Sequence, residues 1–75
     1  MSLNSTILSV TRRTVNGFTV GEIFDRVQNK LGSEAPKYST VRARVYELAQ
    51  AAKLRANGVR RDRVSGREST TFVRS

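Results

Sequence analysis

The cations and hydroxyls of residues 37–46, KYSTVRARVY, are the side chains whose type and spacing suggest chemistry. Arg42 and Arg44 lie on either side of a small alanine, and the hydroxyls of Ser39 and Thr40 precede them. Guanidinium and hydroxyl groups donate hydrogen bonds to phosphate oxygens, and a helix that begins here adds free amides and the positive end of its dipole. The alternative is that Ser39 only caps the helix and the arginines only solvate its surface. We favour a polyanion-binding surface, because an amphipathic segment precedes the helix and a basic segment follows it.

A second group of cations lies near the C-terminus and consists of Arg55, Arg60, Arg61, Arg63 and Arg67. Only Asp62 and Glu68 oppose them within that segment. The alternative here is a solvated basic loop that contacts nothing in particular. We favour phosphate binding again, because so dense a run of like charge destabilises the fold unless a partner neutralises it.

Catalytic chemistry is not expected. The chain contains no cysteine and no histidine, so thiolate and imidazole ligands, disulfides and the commonest general base are all missing. The carboxylates suggest structural roles, such as helix capping for Glu22 and pairing with Arg44 for Glu47. No nucleophile has an adjacent base, and no glycine-rich phosphate loop occurs. We therefore expect neither an enzyme nor a bound cofactor or metal.

The charge is concentrated in one half of the chain. The formal net charge is +8, of which residues 1–36 carry +1 and residues 37–75 carry +7. Such a field attracts polyanions without identifying them. Apolar runs of two or three residues are far too short for a membrane span or a signal peptide, so a soluble protein inside the cell is expected.

The first element expected to position these side chains is a helix at about residues 4–15. Asn4 is its predicted N-cap, and Asn16-Gly17 is its predicted end, because glycine tolerates the left-handed conformation past a helix terminus. Arg12 and Arg13 would complement the negative end of this helix.

A second helix is predicted at about residues 20–31. Thr19 and Glu22 have the spacing of a capping box, and apolar residues recur on one broad face. Glu22 and Arg26 have the spacing of a favourable ion pair on the exposed side, and Gly32 ends the helix. Phe18, just before the cap, is expected in a short extended piece.

The third helix is predicted at about residues 40–53, with Ser39 as its N-cap. A connection that contains the single proline, Pro36, precedes it. The apolar stripe of a helix packed on a core is formed by Val41, Val45, Leu48 and Ala52.

After Lys53 the helical period is lost, and a β-hairpin is predicted at about residues 54–74. Leu54 and Phe72 are its predicted inward side chains. Its strands would reverse either at Asn57-Gly58 or as far along as Ser65-Gly66, and we favour a long loop or a ragged hairpin.

The order of these elements resembles a winged helix-turn-helix domain of small bacterial and phage DNA-binding proteins. The resemblance covers roughly residues 5–74 and is carried by the stretches FTVGEIFDRV, YSTVRARVYELAQAAKL and RRDRVSGRESTTFV. It implies a single α+β domain over residues 1–75, with three helices and a C-terminal β-hairpin wing.

The resemblance also implies binding to double-stranded DNA, sequence-specific or architectural, by a small transcriptional regulator or phage accessory protein in the cytoplasm or nucleoid. The third helix would enter the major groove, and the wing would follow the backbone or the adjacent minor groove. No membrane partner is expected, and a monomer or weak homodimer is the default. The expected DNA-binding residues are Lys37, Ser39, Thr40, Arg42, Ala43, Arg44, Tyr46, Arg60, Arg61, Arg63 and Arg67.

The residues of the third helix are expected to divide their roles. Arg42 points outward and is the candidate for base contact, whereas Arg44 would reach a phosphate or the neighbouring Glu47. Tyr46 would either lie along the sugar-phosphate backbone or pack under the preceding connection. Tyr38 is expected to pack at the helix entry.

Two other functions remain open. One is a winged-helix module that docks on an acidic protein partner. The other is RNA binding, which is less favoured because the chain offers few exposed aromatic side chains for base stacking.

Overall fold

The computed structural model describes residues 2–11, 17–62 and 66–74, and it contains three helices followed by an antiparallel hairpin. This α+β layout confirms the predicted fold class. The elements are α1 (Leu3–Val10), α2 (Val20–Leu31), α3 (Tyr38–Gln50), β1 (Leu54–Arg61) and β2 (Glu68–Arg74). Within the described ranges, no helix is both long and apolar enough to cross a bilayer.

Helix α1 is capped by Ser2, whose hydroxyl accepts a hydrogen bond from the Ser5 amide at 3.1 Å. The prediction of Asn4 as N-cap was wrong, because Ser2 offers the same kind of oxygen two residues earlier. The helix ends at Val10, since Thr11 turns to extended geometry. The predicted continuation over 12–15, Arg12, Arg13 and Asn16 lie outside the described residues.

Helix α2 has the predicted bounds. The capping box is complete, with Thr19 accepting from the Glu22 amide and Glu22 accepting from the Thr19 amide, both at 3.2 Å. Gly32 ends the helix at φ +61° and begins a short 3-10 turn, Gly32–Glu34.

Helix α3 begins earlier than predicted, at Tyr38, so Ser39 lies inside the helix and is not its N-cap. Lys37 takes the N-cap position in extended geometry, and its carbonyl accepts hydrogen bonds from the amides of Thr40 and Val41 at 3.1 Å each. Pro36 restricts Ala35 to extended geometry, and Lys37 is the last extended residue, so the first turn closes on its carbonyl.

The end of α3 also differs from the prediction. The helix stops at Gln50, and Ala52 lies beyond it, exposed and at φ +61°. The amides of Ala52 and Lys53 bond back to the carbonyls of Ala49 and Leu48, which is the pattern of a Schellman motif. Ala52 therefore occupies the left-handed position of that motif and does not extend the apolar stripe.

The hairpin spans the predicted residues and is more regular than the long loop or ragged hairpin we favoured. β1 and β2 pair from Leu54↔Arg74 to Arg61↔Glu68, and the chain reverses between Arg61 and Glu68. Asn57-Gly58 is not a turn, because it coincides with a register shift between Ala56 and Gly58. An extra residue in one strand produces such a bulge. Ser65 lies outside the described residues.

Phe18 adds a third extended piece on the other edge of β2. It exchanges two backbone hydrogen bonds with Phe72, both 2.8 Å long. The predicted extended piece is thereby confirmed, and it connects the start of α2 to the hairpin.

One apolar core is shared by all of these elements. The predicted stripe residues Val41, Val45 and Leu48 are buried in it, as are the predicted inward residues Leu54 and Phe72. The rest of the buried cluster comprises Ile7, Phe18, Val20, Ile23 and Val27. Because α3 and the hairpin enclose the same core, the position of the exposed face of α3 relative to that of the hairpin is fixed.

We predict that Ala52→Gly stabilises the protein. A side chain in the left-handed region is disfavoured, whereas glycine has no such cost, so we expect the free energy of unfolding to rise by about 0.5–1 kcal/mol. Urea unfolding followed by circular dichroism measures this change. Ala51→Gly is the matched control, since Ala51 has φ −82° and gains nothing from glycine. Equal effects of the two variants would contradict the prediction.

Candidate nucleic-acid interface

A cleft of about 410 Å³ separates the N-terminal half of α3 from the hairpin. We call it the α3–hairpin cleft. Its lining residues are Val20, Tyr38, Arg42, Tyr46, Asp62, Arg67, Glu68, Ser69 and Thr70. Two of the predicted DNA-binding arginines, one from α3 and one from the hairpin, thus meet at one feature of the surface.

Arg42 is held in the cleft by an aromatic contact. Its guanidinium carbon lies 5.5 Å from the centre of the Tyr46 ring, close enough for a cation–π interaction. The Tyr46 ring packs edge-on against Phe72 at a centroid distance of 5.7 Å and is still 41% exposed. Tyr46 therefore packs on the hairpin, not under the connection before α3 as one alternative had it. Its exposed part remains accessible to a ligand.

Tyr38 packs at the entry of α3, as predicted. Its ring meets Phe24 of α2 edge-on, with centroids 5.3 Å apart. Burial raises the pKa of Tyr38 above its ordinary value, and the negative charge of Asp62 adds to the rise against the opposing charge of Arg42. The hydroxyl therefore remains a neutral hydrogen-bond donor throughout the physiological pH range.

The outer side of α3 carries short side chains. Ser39, Thr40 and Ala43 are all exposed, and the helical period places Ser39 and Ala43 opposite the buried valines. A surface of this kind allows close approach of a groove to the helix backbone.

The two other cations predicted on α3 are exposed and outside the cleft. Arg44 lies 4.0 Å from Glu47, which is the acidic neighbour predicted for it. Both side chains are largely exposed, so this pair adds little stability and leaves Arg44 able to exchange partners. Lys37 is exposed at the N-cap of α3.

Arg60 and Arg61 are adjacent in β1 but leave the hairpin on opposite faces, because strand side chains alternate. Arg61 pairs across the hairpin with Glu68, on the face that continues to Thr70 and Phe72 and looks toward α3. Arg60 lies on the other face, where its Nη2 donates to the Gly17 carbonyl at 3.0 Å and to Glu22 Oε1.

The ion pair expected between Glu22 and Arg26 is replaced by these contacts. Glu22 takes Arg60 as its partner, and the guanidinium carbon of Arg26 lies 4.6 Å from the centre of the Phe18 ring. A partner 38 residues away along the chain has displaced the local one.

Asp62 was counted in the sequence only as a charge that opposes the arginines. It follows β1 and is buried against the first turn of α2. Its carboxylate lies so close to the Cα of Gly21 that any side chain at position 21 would collide with it. Its amide donates to the Arg67 carbonyl, and its carbonyl accepts from the Gly66 amide, both at 2.8 Å. Gly21 and Asp62 are 41 residues apart in the sequence, so no local pattern could have linked them.

Besides the exposed residues of α3 and its N-cap, which are Lys37, Ser39, Thr40, Ala43 and Arg44, the predicted site residues fall into three groups. Arg42, Tyr46 and Arg67 line one cleft, and strand alternation places Arg61 on the face toward it. Arg60 is directed to the start of α2 instead. Arg63 lies outside the described residues.

Among the described residues, no three acidic side chains are grouped so that they could hold a metal ion. A separate groove between α1 and α2 is lined by Ser9, Val10, Arg26, Asn29 and Lys30.

Comparisons with protein-family models, with curated proteins and with solved structures find no match to this chain.

We predict that Gly21→Ala destabilises the protein. In a helix this substitution normally stabilises, but here the added methyl group would push the Asp62 carboxylate out of its buried position, so we expect a loss of about 1–3 kcal/mol. Thermal or urea unfolding measures it. The matched test places Gly21→Ala in an Asp62→Ala background, where room for the methyl group exists and the added cost should largely disappear. An equal cost in both backgrounds would rule out the collision as its cause.

Proposed function

We propose that this protein binds double-stranded DNA as a small winged helix-turn-helix domain. In this proposal α3 enters the major groove and the hairpin lies along the backbone or the adjacent minor groove. The role is that of a transcriptional regulator or a phage accessory protein, acting in the cytoplasm or nucleoid as a monomer or weak homodimer.

The observation that carries the proposal is the meeting of Arg42 and Arg67 in the α3–hairpin cleft. These cations come from separate elements, and Arg61 lies on the hairpin face toward the same cleft. Guanidinium groups bond phosphate oxygens and guanine edges in a bidentate manner, so Arg67 and Arg61 suit a DNA backbone that follows the hairpin, while Arg42 suits a base edge. The cleft also contains Asp62 and Glu68, and the attraction therefore depends on where the arginines are placed as well as on net charge.

The outer side of α3 supports entry into the major groove. Ala43 is small enough for contact with a thymine methyl group, and the hydroxyls of Ser39 and Thr40 can bond phosphates or base edges. The contact of Arg42 with Tyr46 restricts its side chain before binding, which lowers the entropy lost when it bonds a base.

We predict a strong dependence of DNA affinity on salt. If about five phosphates are neutralised, the slope of log K against log salt concentration should be about −4 to −5. Titration of a random duplex by fluorescence anisotropy at several salt concentrations measures the slope. A slope near zero would contradict the proposal.

We predict different effects for two arginines of this surface. Arg42→Ala should weaken binding and reduce sequence preference, because a base contact is lost. Arg61→Ala should weaken binding to all duplexes alike and reduce the size of the slope by about 0.9, the share of one phosphate. A duplex selected from a random pool and a random duplex serve as the two ligands.

Lys30→Ala is the matched control for loss of one positive charge. Lys30 donates to the Ser9 hydroxyl at 2.8 Å in the groove between α1 and α2, away from the proposed interface. Its loss should leave affinity and slope close to those of the unmodified protein. If all three variants behave alike, the proposed surface is wrong. Recovery of a defined motif from the pool favours a regulator, and binding without preference favours an architectural role.

A further inference from the structure

We propose that Arg60 is a positioning residue, which fixes the hairpin against the start of α2 and so sets the geometry of the α3–hairpin cleft for DNA. This inference rests on the proposed function, and it changes the role expected for Arg60 from the sequence. Its neighbour Arg61 keeps the role of a phosphate contact.

The contacts of Arg60 connect it to the protein itself. One nitrogen, Nη2, bonds both the Gly17 carbonyl, at 3.0 Å, and Glu22 Oε1. The Glu22 side chain is only 17% exposed and that of Arg60 38%, so the pair is partly protected from water. A guanidinium engaged in this way must break a charge-assisted hydrogen bond before that nitrogen can reach a phosphate.

Glu22 connects the same contact to the helix cap. Its Oε1 also accepts the amide of Thr19 at 3.2 Å, so a single carboxylate oxygen holds both the first turn of α2 and the hairpin. Thr19 is fully buried, so water does not compete for the amide that this oxygen accepts. The position of β1 is therefore tied to the start of α2.

A second contact anchors the hairpin where it reverses. Asp62 is buried against Gly21, and its backbone bonds Arg67, which lines the cleft. Arg60 and Asp62 are two residues apart in the sequence and both face the first turn of α2. Release of Arg60 would leave Asp62 as the nearest remaining anchor, and the wall of the cleft that carries Arg67 would be held less firmly relative to α3.

Glu22→Gln is the decisive variant. Glutamine also satisfies a capping box, so the helix cap is kept while the anionic partner of Arg60 is lost. If Arg60 acts only as a positive charge, removal of the nearby negative charge should tighten DNA binding. If Arg60 positions the hairpin, the variant should bind DNA about five- to tenfold more weakly, because a hydrogen bond from Arg60 to a neutral amide oxygen is about half as strong as one to a carboxylate.

Two further variants complete the experiment. Arg60→Gln should weaken binding at least as much, and the double variant should be no weaker than Arg60→Gln alone, because both changes act on one contact. Arg61→Gln removes the same charge from the adjacent residue. It should reduce the salt slope by about 0.9, whereas Arg60→Gln should leave the slope unchanged.

All affinities are measured at a temperature where circular dichroism shows each variant fully folded, so that lost stability does not imitate lost affinity. Hydrogen exchange of the Asp62 and Gly66 amides provides a measurement without DNA. These amides close the end of the hairpin, and both Glu22→Gln and Arg60→Gln should accelerate their exchange, while Arg61→Gln should not.

Tighter binding by Glu22→Gln, or an equal loss of slope for both arginine variants, would overturn the positioning role and leave DNA binding itself intact. Unchanged exchange at both amides in Arg60→Gln would overturn it as well. If the unmodified protein fails to bind DNA although exchange changes as expected, the proposed function fails and the anchoring of the hairpin by Arg60 stands.

Discussion

The first turn of α2 is the constraint on which the arrangement of the surface depends. Four backbone amides at the start of any helix lack partners within the helix, and here the Thr19–Glu22 capping box satisfies two of the amides at this terminus. The same carboxylate accepts Arg60 from the hairpin, and Gly21 in the next position makes room for Asp62. One helical turn therefore satisfies its own terminal amides and also determines where the distant hairpin lies.

The core reinforces this arrangement, because the protein is too small to give the hairpin a core of its own. Phe72 contacts three parts of the structure at once. Its backbone bonds Phe18 on one side and belongs to the hairpin on the other, and its ring packs against Tyr46 of α3. Two-stranded hairpins are marginal alone, so this one owes its order to the helices it covers. A change at the α2 start or at Phe72 is consequently a change in the cleft.

The sequence predicted those features that depend on neighbouring residues. The bounds of α2, its capping box and the burial of Val41, Val45 and Leu48 on α3 follow from spacings of three and four residues, and all three are observed. The capping predictions for α1 and α3 failed for different reasons. At α1 the hydroxyl of Ser2 caps the helix two residues before Asn4, whereas at α3 the N-cap, Lys37, makes no side-chain capping bond, so no side-chain signal marks it.

The partners of the hairpin charges could not be predicted, because they depend on tertiary contacts. Glu22 has Arg26 one turn away, yet it bonds Arg60, and nothing in the sequence near position 60 indicates that its side chain turns away from Arg61's face. Strand alternation separates the two arginines only once the register is known, and the bulge near Asn57 shifts that register by one residue. A pattern of charged residues in a hairpin thus shows which charges are present but not on which face of the hairpin each one lies.

This distinction governs how the positive charge of the protein acts on a polyanion. Residues 37–75 carry a net charge of +7, but Arg60 is neutralised by a partly buried carboxylate, while Arg44 and Glu47 are exposed and exchange freely with solvent ions. At physiological salt, charges more than about 8 Å apart in solvent are largely screened from one another. In the proposed interface, the cations that count would be those that line the α3–hairpin cleft, Arg42 and Arg67. Glu22 is negative and so lowers the net charge, yet it supports the α3–hairpin cleft. Through Arg60 it holds the hairpin, which carries Arg67.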